Sequence, residues 1–241
     1  MDENFKFEKL SEKIYVCTTE DHAFGTDAFL LTYFSEYKRN DLVCDLGTGC
    51  GIIPLIMSRE NSPNRIYALD IQEKAIEQLK KGIEKSDIKN ITTVHADLKE
   101  LWADAPLGKF SLVTCNPPYK ASNAGIESLL PSQKIARHEI LCDINDVCVA
   151  ANKLLKFGGK LCLCNRPERL CDVIIAMKQN NIEPKSLRFV SKTESDAPWL
   201  FLIEGKKGSK PFLKVQKSLY IQGENGYSDE MKKIYKLIEE L

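Results

Sequence analysis

The chain predicts an α/β fold, a mostly parallel sheet covered by helices on both faces. Three observations carry that expectation. From residue 42 onward, short β-rich runs alternate with helically spaced stretches, as βαβ units require. A glycine-rich turn lies between the first of these strands and the helix that follows it. Acidic or amide side chains then stand at the ends of successive strands, where open α/β sheets bind ligands. At 241 residues the chain suits one large domain with small additions.

Residues 1–40 form an N-terminal extension, with a small hairpin (Phe5–Phe7 and Ile14–Cys17) and a helix from Thr26 to about Tyr37. Residues 41–241 form the main domain. Leu42–Leu46 is its first strand, and the apolar stretch Ile52–Met57 is the helix after the glycine turn. Arg65–Asp70 is the second strand. From Gln72 to Ser86, Ala75, Ile76, Leu79 and Ile83 share one helical face, with Lys and Glu on the other. Asn90–His95 and Phe110–Cys115 are further strands. Residues 119–140, with Ser, Asn, Gly and Pro, suit a mobile loop beside the site. Asp143 to Lys156 is a helix expected to stop at Gly158-Gly159, and Lys160–Cys164 begins a fifth strand. Tyr227–Leu241 places Met231, Ile234, Tyr235, Ile238 and Leu241 at helical spacing, for packing back on the domain.

Composition excludes several classes. With 43% hydrophobic and 28% charged residues, the chain is neither disordered nor fibrous. Its apolar runs, such as Cys50–Met57, fall well short of the roughly 18 residues that span a bilayer. The start, Met1-Asp2-Glu3-Asn4-Phe5-Lys6, has no basic segment followed by an apolar one, so no signal peptide, no membrane partner and a cytoplasmic location are expected. Nine cysteines sit mostly in apolar strand-like runs with no C-x-x-C pair, so they read as reduced core residues with no metal role. Charge is balanced, 34 Lys and Arg against 34 Asp and Glu. One local excess stands out: Lys206, Lys207, Lys210, Lys214 and Lys217, with no acid among them. It is either a solvated loop or a phosphate-binding surface.

Asp45-Leu46-Gly47-Thr48-Gly49-Cys50-Gly51 leaves a strand and opens a helix. Such glycines permit a sharp turn and a close approach of ligand to backbone, although any tight βα turn uses them too. A dinucleotide fingerprint would put its third glycine at position 52, which is Ile52. The form D-x-G-x-G-x-G is instead the pattern of class I S-adenosylmethionine-dependent methyltransferases. Asp70 closes the second strand, and its two oxygens match a vicinal ribose diol. Asp97 follows the third strand and suits an adenine amine, with Leu98 or Ile71 lining the ring. Either acid alone also reads as a turn residue or helix cap.

Asn116-Pro117-Pro118-Tyr119 follows the fourth strand. Two prolines stiffen the backbone and leave its carbonyls free to accept. The Asn116 side-chain carbonyl and the Pro117 backbone carbonyl would take the two hydrogens of an exocyclic amine and aim its lone pair at a methyl donor. That is catalysis by orientation and electrostatics. Tyr119 offers a ring on which a base can stack.

Together these motifs resemble the amino methyltransferases that modify adenine N6, guanine N2 or a glutamine side-chain nitrogen. Phe24-Gly25-Thr26-Asp27-Ala28-Phe29-Leu30-Leu31, Ala136-Arg137-His138-Glu139, Asn165-Arg166-Pro167-Glu168-Arg169-Leu170, Glu204-Gly205-Lys206-Lys207-Gly208 and Lys210-Pro211 narrow the likeness. The set is similar to the bacterial tRNA1(Val) adenine-N6 methyltransferases, from about Phe24 to Tyr220. The resemblance implies a Rossmann-like class I methyltransferase fold, α/β, with a seven-stranded mostly parallel sheet. It implies S-adenosyl-L-methionine as cofactor, S-adenosyl-L-homocysteine as product, and tRNA bound at its anticodon region as partner. Asp45, Gly47, Gly49, Gly51, Asp70, Ile71, Asp97, Leu98 and Asn116 would hold the cofactor. Asn116, Pro117 and Tyr119 would be catalytic, and Pro118, Tyr119, Arg137, His138, Lys206, Lys207 and Lys210 would meet substrate. His138 either touches substrate or anchors its loop through Glu139, and Thr26-Asp27 either borders the cofactor or caps a helix.

Other readings keep the chemistry and change the substrate: a release-factor glutamine N5-methyltransferase or a ribosomal RNA guanine-N2 methyltransferase. The first typically carries a separate helical substrate domain, whereas only about 40 residues precede the first strand here. A non-catalytic nucleotide-binding module and a dinucleotide oxidoreductase are the readings from other classes. The amine-orienting turn disfavours the former, the glycine spacing the latter.

Overall fold

A computed structural model describes residues 5–19, 24–59, 62–117 and 142–236. Its centre is one sheet built from β3 (Leu42–Leu46), β4 (Arg65–Asp70), β5 (Ile91–His95), β6 (Phe110–Cys115), β7 (Leu155–Asn165), β8 (Ile182–Ser191) and β9 (Leu200–Lys207), in the spatial order β8-β9-β7-β6-β3-β4-β5. All of these run parallel except β9, which is antiparallel to both β7 and β8. Two further strands of two residues each, β10 (Lys214–Val215) and β11 (Leu219–Tyr220), pair along the outer edge of β8 and bring the sheet to nine. The expected seven strands are thus the long ones. The two additions are too short for residue patterning to reveal.

The parallel strands are apolar on both faces because both faces are covered. On one side α1 (Thr26–Phe34), α2 (Ile52–Met57) and α3 (Glu73–Lys85) contribute Leu30, Leu31, Leu55, Met57 and Leu79 to a continuous core. On the other, α4 (Ile144–Leu154) and α5 (Leu170–Gln179) pack Val147, Cys148, Val173 and Met177 against Phe110, Leu161 and Phe201. Seven of the nine cysteines are buried, and none is in a disulfide. Burial pushes the Cys50 and Cys148 thiols up to about 12, so they behave as small hydrophobes.

The extension is held down by specific contacts. β1 (Lys6–Lys9) and β2 (Tyr15–Thr18) form an antiparallel hairpin lying on α3. The Tyr15 N–H donates to Ser86 Oγ at 2.9 Å, and the buried Gln78 amide donates to the Cys17 carbonyl at 3.3 Å. Lys81 and Lys85 sit 4.4 and 4.7 Å over the Phe5 and Phe7 rings. At the far end of the chain, β12 (Gln222–Gly223) and β13 (Gly226–Tyr227) lead to α6 (Asp229–Tyr235), which buries Met231 and Ile234 in the same core as α1.

Three boundaries differ from expectation. Helix α1 ends at Phe34: Ser35 still makes the i→i−4 bond to the Leu31 carbonyl, and Glu36 then leaves the helical region at φ 42°. Its N-cap is Gly25; Thr26 lies inside the helix, with its hydroxyl 2.8 Å from that of Tyr235. Helix α4 starts in a reciprocal Asp143–Asp146 capping box but stops at Leu154, four residues before Gly158. The Lys207 ammonium binds the Asn152 and Leu155 carbonyls there, so β7 begins at once. Gly159 is then a strand residue; a Cβ on it would lie 2.8 Å from the Phe110 carbonyl oxygen.

Candidate active site

The site is assembled at the carboxyl ends of β5, β4, β3 and β6, four neighbouring parallel strands. After β3 the chain turns through Gly47 and Gly49 with φ 69° and 56°. The Gly47 and Thr48 N–H groups both donate to the Leu69 carbonyl at 2.9 Å, which fastens the loop to β4. A Cβ built on Gly47 or Gly49 meets nothing within 4 Å among the described residues, so these glycines face space that a ligand can fill against bare backbone. Gly51 has a different duty. It caps α2 at φ 80°, and a Cβ there would come within 2.1 Å of Leu79.

Asp70 is buried at the end of β4. One oxygen accepts from the Gly49 N–H at 2.8 Å and the other from the Gln72 N–H at 2.9 Å. The carboxylate therefore ties the glycine loop to β4. Beside it Ile71 is 40% exposed, an apolar surface at the mouth. Asp97 is half-buried after β5; one oxygen accepts from the Lys99 N–H at 2.9 Å, and Leu98 packs on the core behind it.

Asp45 lies beneath the loop, 1% exposed. Its Oδ1 accepts from the Thr114 hydroxyl on β6 at 2.6 Å. Its Oδ2 and the Thr48 hydroxyl are buried and fall outside hydrogen-bond geometry with any described residue, although that hydroxyl is near enough to act on the carboxylate. Burial raises the carboxyl to about 7; the Thr114 and Thr48 hydroxyls work against that rise, and the Asp70 charge adds to it. Orphaned polar atoms under an open glycine cradle are what a site for a polar ligand with a cationic group provides.

Residues Leu46 and Cys115 are paired across β3 and β6. The next residue on one strand is Gly47, and on the other Asn116, so the two motifs leave the sheet side by side. Asn116 and Pro117 are half-buried, and the Asn116 Oδ1 accepts from the Cys164 thiol of β7 at 3.1 Å.

The structure thus brings together Asp45, Gly47, Gly49, Gly51, Asp70, Ile71, Asp97, Leu98, Asn116 and Pro117. Pro118, Tyr119, Arg137 and His138, with the loop expected at 119–140, lie outside the described residues. Lys206, Lys207 and Lys210 are not brought to this end. Because β9 is antiparallel, Lys206 and Lys207 pair with Lys160, Glu183 and Ile182 at the opposite end of the sheet. The Lys210 carbonyl binds Lys185 low on β8. The segment then climbs that edge: Lys214 stands beside Ser186, and the Lys217 carbonyl meets Arg188. Sequence reasoning missed Thr114, Thr48 and Cys164. Thr114 was signalled as the one polar residue in Leu112–Cys115.

The fold and site define a methyltransferase. The methyltransferase small domain family matches residues 16–183, and the chain belongs to that family. Among its relatives, a Parabacteroides distasonis protein named tRNA1(Val) (adenine(37)-N6)-methyltransferase is 30% identical over 184 residues, 75% of each chain. A Flavobacterium psychrophilum protein of the same name is 32% identical over 139 residues; the match covers 57% of this chain and 58% of that one. The crystal structure of a predicted O-methyltransferase from Agrobacterium tumefaciens superposes with a TM-score of 0.71 at 19% identity, covering 88% of this chain and 96% of its own.

Proposed function

We propose that this chain transfers a methyl group from S-adenosylmethionine to the N6 amine of an adenine in tRNA, next to the anticodon of a valine tRNA. The observation that carries the reading is the register of β3 against β6, which sets the open glycine cradle and Asn116 on adjacent strand ends. The names of the relatives support the substrate.

The residues fit the cofactor. The Gly47–Gly49 backbone would lie against it, and Asp45 Oδ2 with the Thr48 hydroxyl would meet its ammonium group. Asp70, at the end of β4 beside the glycine loop, would accept from the ribose hydroxyls. Ile71 and Leu98 would line the adenine ring, and Asp97 would accept from its amine. S-adenosylmethionine supplies an electrophilic methyl on a sulfonium centre. The Asn116 Oδ1 and the Pro117 carbonyl oxygen accept the two hydrogens of the target amine, drawing its lone pair out of conjugation and holding it in line. No strong base is needed, since the proton leaves once nitrogen has become cationic. Tyr119 stacks on the target base, which must first leave its own stack; Pro118, Arg137 and His138 complete the substrate side. Lys214 and Lys217, exposed on the β8 edge, neutralise tRNA phosphates.

The test combines the protein, methyl-labelled S-adenosylmethionine and unmodified bulk tRNA, followed by nucleoside mass spectrometry. Labelled N6-methyladenosine is expected. Label absent from tRNA but present in ribosomal RNA or in a protein glutamine would overturn the substrate.

A further inference from the structure

We propose that Cys164 is the positioning residue of the reaction: its thiol sets which end of the Asn116 amide faces the target amine. The inference rests on the role given to Asn116 above. A side-chain amide has an accepting oxygen and a donating nitrogen of nearly equal size, and only the oxygen serves an amine that must give up its hydrogens. Rotating the amide by half a turn would set two donors against two donors and stop transfer without changing the shape of the pocket.

Something must therefore distinguish the two ends, and the structure provides it. Cys164, fully buried near the carboxyl end of β7, points its Sγ at Asn116 Oδ1 over 3.1 Å. A thiol is a weak donor and a weak acceptor, and here it donates to the oxygen, the arrangement that leaves the amide nitrogen turned away from it. A carbonyl oxygen has two lone pairs, so accepting from the thiol does not by itself bar it from accepting from the amine.

Cys164 is also held in place. Leu163 pairs with Cys115 across β6 and β7, which brings the following residues, Cys164 and Asn116, level with each other. On the other side Cys164 pairs with Leu202 of β9, itself fully buried. Cys164 is fully buried, and the sheet fixes its distance from the turn. It belongs to none of the motifs at the cofactor end, and it touches the turn at Asn116.

The test compares Cys164→Ala, Cys164→Val and Cys164→Ser in steady-state methyl transfer to tRNA, with S-adenosylhomocysteine affinity measured by calorimetry. Alanine and valine remove the donor, and valine also fills the space. Both are expected to lower kcat about tenfold, equivalent to about 1.4 kcal/mol, with KM for tRNA and cofactor-product affinity within twofold of wild type. Serine restores a donor and is expected to recover kcat to within threefold. Wild-type kcat in the valine variant would overturn the proposal, as would a serine variant as slow as alanine. Asn116→Ala, assayed alongside, separates the two levels. If it retains turnover, the site reading itself fails; if it is inactive while Cys164→Val is unaffected, only the positioning role fails.

Discussion

Substituting Gly49 and Gly51 by alanine separates the ligand cradle from the packing beneath it. Both glycines hold positive φ, 56° and 80°, so alanine at either costs about 1–2 kcal/mol of backbone strain. At Gly49 the new methyl meets nothing within 4 Å among the described residues, so backbone strain is the expected effect on stability. At Gly51 it would lie 2.1 Å from the Leu79 Cδ1, and Leu79 is fully buried in the α2–α3 interface. Relieving that overlap adds about 1–3 kcal/mol. Urea unfolding of ligand-free protein should therefore show Gly51→Ala about 2–5 kcal/mol below wild type, and lower than Gly49→Ala. Calorimetric titration with S-adenosylhomocysteine should show the reverse emphasis. Gly49→Ala, still folded, is expected to lose at least tenfold in affinity because its methyl projects into the space proposed for the ligand. Equal stabilities of the two variants would refute the packing role of Gly51. Undiminished affinity in Gly49→Ala would refute the cradle.

Asp45 links the site to pH. Its carboxyl, raised to about 7 by burial, keeps a proton that the unfolded chain sheds near pH 4, so its contribution to stability is complete below pH 4 and lost as pH rises through 7. Asp45→Asn should flatten that part of the stability profile of ligand-free protein, measured by urea unfolding between pH 4 and 8; an unchanged slope would show that the carboxyl titrates normally. Lys207→Met removes the cap on the α4 carbonyls and should cost about 1–2 kcal/mol in thermal unfolding, with tRNA affinity unchanged because the residue lies at the opposite end of the sheet. Replacing Lys214 and Lys217 by alanine should reduce the salt dependence of tRNA binding by about one counterion each, by filter binding across a salt series. The same change at Lys206 should leave the slope alone.

Much of this was legible in the sequence because its signals are local. A strand, a glycine turn and an amphipathic helix each have a period or a composition of their own, and Leu42–Leu46, Ile52–Met57 and Arg65–Asp70 lie where those periods put them. The residues proposed for the cofactor side were placed by the same local signals: they lie at or just beyond strand ends, and parallel strands end together. What escaped was long-range. The glycine pair at 158–159 looked like a helix stop, but the stop comes from Lys207, more than fifty residues away. The lysines from 206 onward looked like one patch, yet an antiparallel strand carries their start to the wrong end for the site. The contact of Cys164 with Asn116 depends on β6 and β7 being neighbours, which no spacing along the chain reveals.

The central claim is that Asn116 orients an amine beside a cofactor held by other residues. The most direct measurement is single-turnover methyl transfer to tRNA by Asn116→Ala, paired with calorimetry of S-adenosylhomocysteine binding. Transfer slowed by about a thousandfold, with cofactor-product affinity within threefold of wild type, is the expected result. Near-normal transfer would contradict the assignment of Asn116 and with it the account of the chemistry at this site.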